Sequence, residues 1–434
     1  MKINKEDIIL KEGVFYFDWT ASGLAYRPIE NEILRILKTY ANTHSEASEH
    51  ARITSEYYEK AKMGLKNLLE LDDKFYLFAC GFGATAAIKK FQELMGIYIP
   101  PMSREFLKLD IKNLENLPLV LVSPYEHHSN EISYRAGLCE VKRIPLDEKG
   151  EIDFNALTQI LSENRGRKII ASFSVASNIT GVLTDYKKLY LIIKSFGGIV
   201  ALDAASVASH MQIDSGFYDA LFISPHKLLG GVGSSGILIM KKELCVSDEP
   251  TFAAGGTVRY VDRKTQIYKI DKEKLEDAGT PGITELIRSY LAFKLRNDIG
   301  LENIEKKELE LKEHFLEKIL RLEDVILYAK DVENKLPIFS FNVKGFDPYT
   351  FSTLLSQKYN VETRAGCACA GPYGHDLMNM NDGRNFLEDG KPGFVRVSIN
   401  YTHEKDDIDY LISAIKAVIK LREKVKMTGG KHLC

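Results

Sequence analysis

Short apolar runs alternate with longer amphipathic stretches through the first half of the chain, from about residue 74 to residue 240. The runs fall at 75–78, 119–122, 169–173, 199–202, 220–223 and 237–240, and are rich in β-branched or aromatic side chains. Four or five continuous apolar residues of that kind read as a strand buried on both faces. Between them, 84–94, 154–162 and 186–196 read as helices. The alternation predicts an α/β fold with a mostly parallel sheet covered by helices on both sides. Only a short Gly-rich loop follows Lys227, which leaves the run at 237–240 room to lie antiparallel.

The pattern then changes. A helix at 283–296 leads into a long charged one at 301–322, followed by apolar runs at 338–343 and 395–399 and a final helix at 405–421. This section reads as a smaller α+β domain. The expected division puts 1–295 in a large domain, including an N-terminal arm over about 1–25, and 296–434 in a small C-terminal one.

Composition narrows the classes. With 434 residues, 45% of them hydrophobic and 27% charged, the chain can bury a sizeable core. A net charge of −2 supplies no basic face for nucleic acid. No run approaches about 18 apolar residues, and the start of the chain mixes charged and aliphatic residues, so no membrane span or signal peptide is expected. The expected location is cytoplasmic. Six cysteines, at 80, 139, 245, 367, 369 and 434, are too sparse for a disulfide framework. The close pair Cys367 and Cys369 suggests catalysis or metal binding, the plain alternative being two small thiols in a loop.

In an open parallel sheet, ligands bind beyond the carboxyl ends of the strands. Those ends carry Gly81, Gly83, Ala84 and Thr85; then Glu126, His127 and His128; then Ser177 and Asn178; then Asp203; then Ser224, His226 and Lys227. The glycine pair fits either a phosphate cradle at a helix N-terminus or an ordinary tight turn. Asp203 fits either a partner for a protonated ring nitrogen or a helix cap. Lys227, beside His226, is either a buried amine nucleophile or an exposed lysine. Together a phosphate cradle, a carboxylate and a lysine are what pyridoxal phosphate requires.

Four segments carry a family resemblance: Glu126-His127-His128, Ser177 to Gly181, Ser224-Pro225-His226-Lys227 and Arg364 to Ala370. They occur in the order found in fold-type I pyridoxal-phosphate enzymes, and the chain resembles the class V aminotransferases, specifically the cysteine desulfurases and selenocysteine lyases. That resemblance implies a seven-stranded, mostly parallel sheet. It implies that Lys227 carries the cofactor and moves protons at the substrate Cα, that Asp203 holds the pyridine nitrogen and that His127 stacks on the ring. Ala84, Thr85, Ser224 and His226 would hold the phosphate, with Thr280 supplied from the partner of a homodimer. Asn178 and Arg396 would bind the substrate carboxylate, and Arg364 would position the cysteine loop. His44 resembles part of a substrate-facing loop, or caps a helix. The family's spacing from Arg364 puts the nucleophile at Cys369 rather than Cys367, and Cys367, Cys369 and His375 form a rival metal set. Where family members commonly carry a glutamine against the ring hydroxyl this chain has Ser206, as in the molybdenum-cofactor sulfurase branch. The implied reaction converts L-cysteine to L-alanine, leaves sulfur on Cys369 as a persulfide and passes it to an acceptor protein. Alternatives are a selenocysteine lyase, another class V enzyme such as an aminotransferase, β-lyase or epimerase, and a sulfur carrier or metal-binding protein with a vestigial site.

Overall fold

The computed structural model describes residues 3–43, 45, 47–110, 114, 116–380 and 393–422. Its central sheet has seven strands: β1 (Phe75–Cys80), β2 (Leu119–Val122), β3 (Glu140–Arg143), β4 (Ile169–Ser174), β5 (Ile199–Asp203), β6 (Ala220–Ile223) and β7 (Gly236–Lys241). Their order is β1-β7-β6-β5-β4-β2-β3. All pairs are parallel except those made by β7, which runs against both neighbours, as the short loop after Lys227 allows.

Alternate residues of these strands point to opposite faces, and both faces are apolar. Leu119, Leu121, Phe173, Leu202 and Leu221 join Leu157, Leu161, Leu189 and Ile193 of the helices Phe154–Glu163 and Tyr186–Ser195. Val120, Val122, Ile170, Ala201 and Phe222 pack instead against Ala87, Ile88 and Phe91 of Gly83–Leu94. This double burial explains why the strands read as continuous apolar runs. Strand β3 escaped the pattern because it is the sheet's edge: Glu-Val-Lys-Arg is half-exposed and pairs with β2 alone. The helix Glu49–Leu68 was also missed, since polar residues sit on its inner face; buried Lys62 reaches Glu273 at 3.0 Å.

A second sheet of four antiparallel strands follows: β8 (Val325–Leu327), β9 (Ile338–Val343), β10 (Arg364–Gly366) and β11 (Phe394–Ser398), in the order β8-β9-β11-β10. Helices Leu301–Ile319 and Lys405–Ile419 bury Leu311, Phe315, Leu411 and Ile415 against Phe339, Phe341, Val395 and Val397. The N-terminal arm ties the two parts together. Phe15–Tyr16 pairs with Val361–Glu362, Phe17 enters the second core, and Gly230 N–H donates to Leu24 O at 2.7 Å beside the Lys227 turn. Among the described residues no helix is long and apolar enough to cross a membrane.

Candidate active site

Six strands of the central sheet share one direction, so their carboxyl ends meet along one edge. A pocket of about 240 Å³ opens there. Lys227, Asp203, His127, Ala84, Thr85, Asn178, Ser206, Ser224 and His226 line it from the large sheet, and Arg364, Cys369 and Arg396 from the second part of the chain. Two expected residues are not among them. Thr280 is exposed and accepts a hydrogen bond from Asn42 Nδ2 at 2.8 Å, outside the pocket of its own chain. His44 lies outside the described residues.

Lys227 ends a short turn, Pro225–Lys227, just after β6. Burial pulls its ammonium down to about 8, partly countered by Asp203 and reinforced by Arg396. Asp203, at the end of β5, has its carboxyl raised by burial, while Ala205 N–H donates to Oδ1 at 2.8 Å. Among the described residues neither group has an ion-pair partner within 4 Å. A buried, unpaired carboxylate is costly unless a ligand cation meets it. His127 caps the helix His128–Arg135, its Nδ1 accepting Ser129 N–H at 3.1 Å. Burial and the nearby cations push it down to about 3, so the ring is neutral with its proton on Nε2. His226 is likewise lowered to about 4 by burial and Lys227.

The helix Gly83–Leu94 starts beside the turn that carries Ser224 and His226, with no side-chain cap from Phe82. Instead Ala84 N–H donates to Ser224 Oγ at 2.8 Å, and Thr85 Oγ1 lies 2.7 Å from Ser129 Oγ. Gly83 has φ +64°, and a Cβ there would lie 2.7 Å from His226 Cε1. Only glycine leaves this space open. Helix N–H groups, two hydroxyls and an imidazole thus converge as a phosphate would need.

The cysteine loop closes the pocket. Cys369 is exposed and lines it, whereas Cys367 is buried and does not. Ala368 (φ 46°) and Cys369 (φ 58°) are both left-handed, and Ala370 N–H donates back to Cys367 O at 3.1 Å. Two successive non-glycine residues in that region are strained and need outside restraint. It comes from three bonds: Asn178 Nδ2 to Ala368 O at 2.7 Å, His128 N–H to Cys369 O at 2.7 Å, and Gly371 N–H to His128 Nε2 at 2.9 Å. The Asn178 amide NH₂ therefore holds the loop, and its buried Oδ1 has no protein partner. Among the described residues, no group of three or more His, Cys, Asp or Glu is placed to hold a metal ion, Cys367, Cys369 and His375 included.

Sequence reasoning singled out Glu126 without giving it a role, and gave none to Asp18. Buried Glu126 accepts from Ser174 N–H at 2.7 Å and Ser174 Oγ at 2.6 Å, fixing the turn that presents His127 against β4. Asp18 pairs with Arg396 from 378 positions away, a contact no local pattern reveals.

A family model described as aminotransferase class-V matches residues 107–411. A probable cysteine desulfurase of Pyrococcus abyssi is 26% identical over 426 residues, spanning 96% of this chain and 97% of that protein. One from Halalkalibacterium halodurans is 30% identical over 303 residues, 68% of this chain and 70% of its own. The apo structure of a cysteine desulfurase from Thermococcus onnurineus superposes with a TM-score of 0.81 at 23% identity, covering 97% of this chain and 99% of that one. With the lysine, the carboxylate and the cluster of N–H, hydroxyl and imidazole groups at the sheet's edge, and the family model matched over most of its length, this chain belongs to the class-V aminotransferases, a family of pyridoxal-phosphate-dependent enzymes.

Proposed function

We propose that the protein is a pyridoxal-phosphate-dependent cysteine desulfurase, with Lys227 as the cofactor lysine and Cys369 as the sulfur-accepting thiol. The observation that carries this is the placement of an exposed thiol, on a strained and tethered turn, in the same pocket as a depressed lysine and an unpaired buried carboxylate. A transaminase has no use for that thiol.

The residues suit the cofactor. Asp203 would meet the pyridine nitrogen; Ala84, Thr85, Ser224 and His226 would surround the phosphate; Ser206 would lie by the ring hydroxyl. Bound there, pyridoxal phosphate supplies an electron sink for negative charge at the substrate Cα. Lys227, uncharged in a substantial fraction near pH 8, takes the Cα proton. His127, neutral and with its proton on Nε2, would lie against the ring and could donate that proton. Arg396 holds the substrate carboxylate. Cys369, as a thiolate, then forms a bond to the substrate sulfur while the substrate Cβ–S bond breaks. Protonation at carbon gives alanine, and the enzyme keeps the sulfur as a Cys369 persulfide for an acceptor protein.

A homodimer fits the same reading. Thr280 is exposed and lies outside its own pocket, and the neighbouring hairpin Val258–Val261 and Gln266–Tyr268 exposes Tyr260, Val261 and Ile267. Sedimentation at micromolar concentration tests it.

The activity is tested by incubating pyridoxal-phosphate-loaded protein with L-cysteine and a thiol reductant, and measuring alanine and sulfide. Equal amounts, abolished by Cys369→Ala and kept by Cys367→Ala, are expected. No alanine from a loaded enzyme that binds cysteine would overturn the reading.

A further inference from the structure

The helix Gly371–Leu377 begins just past Cys369, and its one large buried side chain is Tyr373, 1% exposed. A tyrosine enclosed to that degree brings apolar area inside and needs a partner for its hydroxyl. Two turns at the pocket supply both. The ring stands edge-on to Tyr125, with centroids 5.4 Å apart at 65°, and Tyr125 lies in the turn that leads from β2 to His127. The hydroxyl lies 3.2 Å from Thr180 Oγ1. Thr180 belongs to the turn 177–181, whose Asn178 holds Ala368 O, and it is itself fixed, because Ser177 Oγ accepts from Ile179 N–H and Thr180 N–H, both at 3.1 Å. Farther along the same helix, Asp376 Oδ2 meets Arg143 Nη2 at 2.9 Å, and that guanidinium also donates to Pro124 O.

The bonds from Asn178 and His128 act on the turn itself, at residues 368, 369 and 371. Tyr373 acts on the helix that continues from it. A helix free to pivot about Ala370 would carry the thiol with it. Sulfur transfer needs the two sulfurs in near-attack contact, and a misplacement of about 1 Å costs on the order of a hundredfold in rate.

We propose that Tyr373 is a positioning residue for sulfur transfer: seated between Tyr125 and Thr180, it locks the helix after Cys369 to the turns that carry His127 and Asn178 and so sets the reach of the thiol into the pocket. Tyr373 does not line that pocket and acts through Cys369. The role rests on the desulfurase reading, because only sulfur transfer uses the thiol. Proton movement at the substrate Cα belongs to Lys227 and does not depend on it.

The test compares two reactions of the cofactor-loaded enzyme: alanine formation from L-cysteine, and exchange of the Cα proton of L-alanine in heavy water, which needs Lys227 and no thiol. In Tyr373→Leu, alanine formation at saturating cysteine should fall about 100-fold, with KM and the exchange rate changed less than about threefold. Tyr373→Phe keeps the ring and should lose only about fivefold; Thr180→Val should lose as much, and the double variant no more, because one hydrogen bond joins them. Unchanged alanine formation in Tyr373→Leu overturns the proposal. So does an equal fall in both reactions, since Tyr373 then merely holds the fold. If Tyr373→Leu does not fold, the Phe and Val variants decide alone, and either no loss or additive losses overturn it. Wild-type enzyme that forms no alanine from cysteine would sink the desulfurase reading. Amide hydrogen exchange would still judge Tyr373: in Tyr373→Leu or Tyr373→Phe the N–H groups of His128 and Gly371 should exchange faster, by roughly tenfold in the former, and unaltered protection in both overturns the positioning role.

Discussion

The backbone N–H of His128 donates to the carbonyl of Cys369 at 2.7 Å, while its ring Nε2 accepts from Gly371 N–H at 2.9 Å. One residue thus holds the thiol-bearing turn at the thiol and just past it. His128→Ala deletes the second bond and leaves the left-handed Cys369 with less restraint. Alanine release at saturating cysteine should fall roughly tenfold, about the effect of one lost hydrogen bond, with KM for cysteine little changed. Rapid-quench measurement of a single turnover checks this. An unchanged rate would mean that Asn178 and the backbone hold the turn alone.

Lys227 gives a pH prediction with a definite sign. Burial holds its ammonium at about 8, where a free lysine titrates near 10.4. Only the uncharged amine can attack the cofactor's carbonyl carbon. Cofactor capture by apoprotein should therefore quicken by about tenfold per pH unit below 8 and level off above it. Absorbance after mixing, followed from pH 6 to 10, gives the profile. Asp203 favours the charged lysine, so Asp203→Asn should move the inflection to lower pH. A wild-type rate still climbing at pH 10 would show that the lysine is not held down.

Much of this site was legible because the central strands are buried on both faces and end at one edge. Continuous apolar runs marked β2 and β6, and the residues just beyond them, His127 and Lys227, fell into the pocket without further information. What stayed hidden was anything set by distant partners. Strand β3 is polar because it is an edge, and the Lys62 face of Glu49–Leu68 is buried through an ion pair. Asn178 turned to the loop carbonyl of Ala368, and Asp18 to two arginines, through contacts that only folding creates. The family spacing could place Cys369. It could not show that Cys367, two residues earlier, is enclosed.

Gly83 tests the phosphate cradle. Its φ of +64° and the 2.7 Å from a built Cβ to His226 Cε1 mean that alanine there must push the imidazole or bend the helix start. Gly83→Ala should fold, since the crowding is with two side chains on the pocket wall, His226 and Ser224, and should bind pyridoxal phosphate about 10- to 100-fold more weakly. Equilibrium dialysis with fluorescence detection measures it. Unaltered affinity would remove the helix start from the cofactor's surroundings.

The thiols differ enough in environment to be told apart chemically. Cys80, Cys139 and Cys245 are buried, and burial pushes each thiol up to about 12, so little thiolate exists at neutral pH. Cys367 is buried as well, though it lies in the same turn as Cys369. Alkylation requires both thiolate and access, and among the described cysteines only Cys369 is exposed. On a Cys434→Ser background, brief iodoacetamide treatment at pH 7.5 should place one carbamidomethyl group per chain, on Cys369 by peptide mass spectrometry. The remaining thiols should react more slowly by about 100-fold, as for groups that react only through local opening. Alanine formation should be lost in step with that single modification. Cysteine added first should move the label to the outer sulfur of the Cys369 persulfide, so that a thiol reductant releases the label and frees the thiol for direct alkylation. If Cys367 takes the label first, the turn opens more readily than its hydrogen bonds imply, and the assignment of the nucleophile moves by two residues.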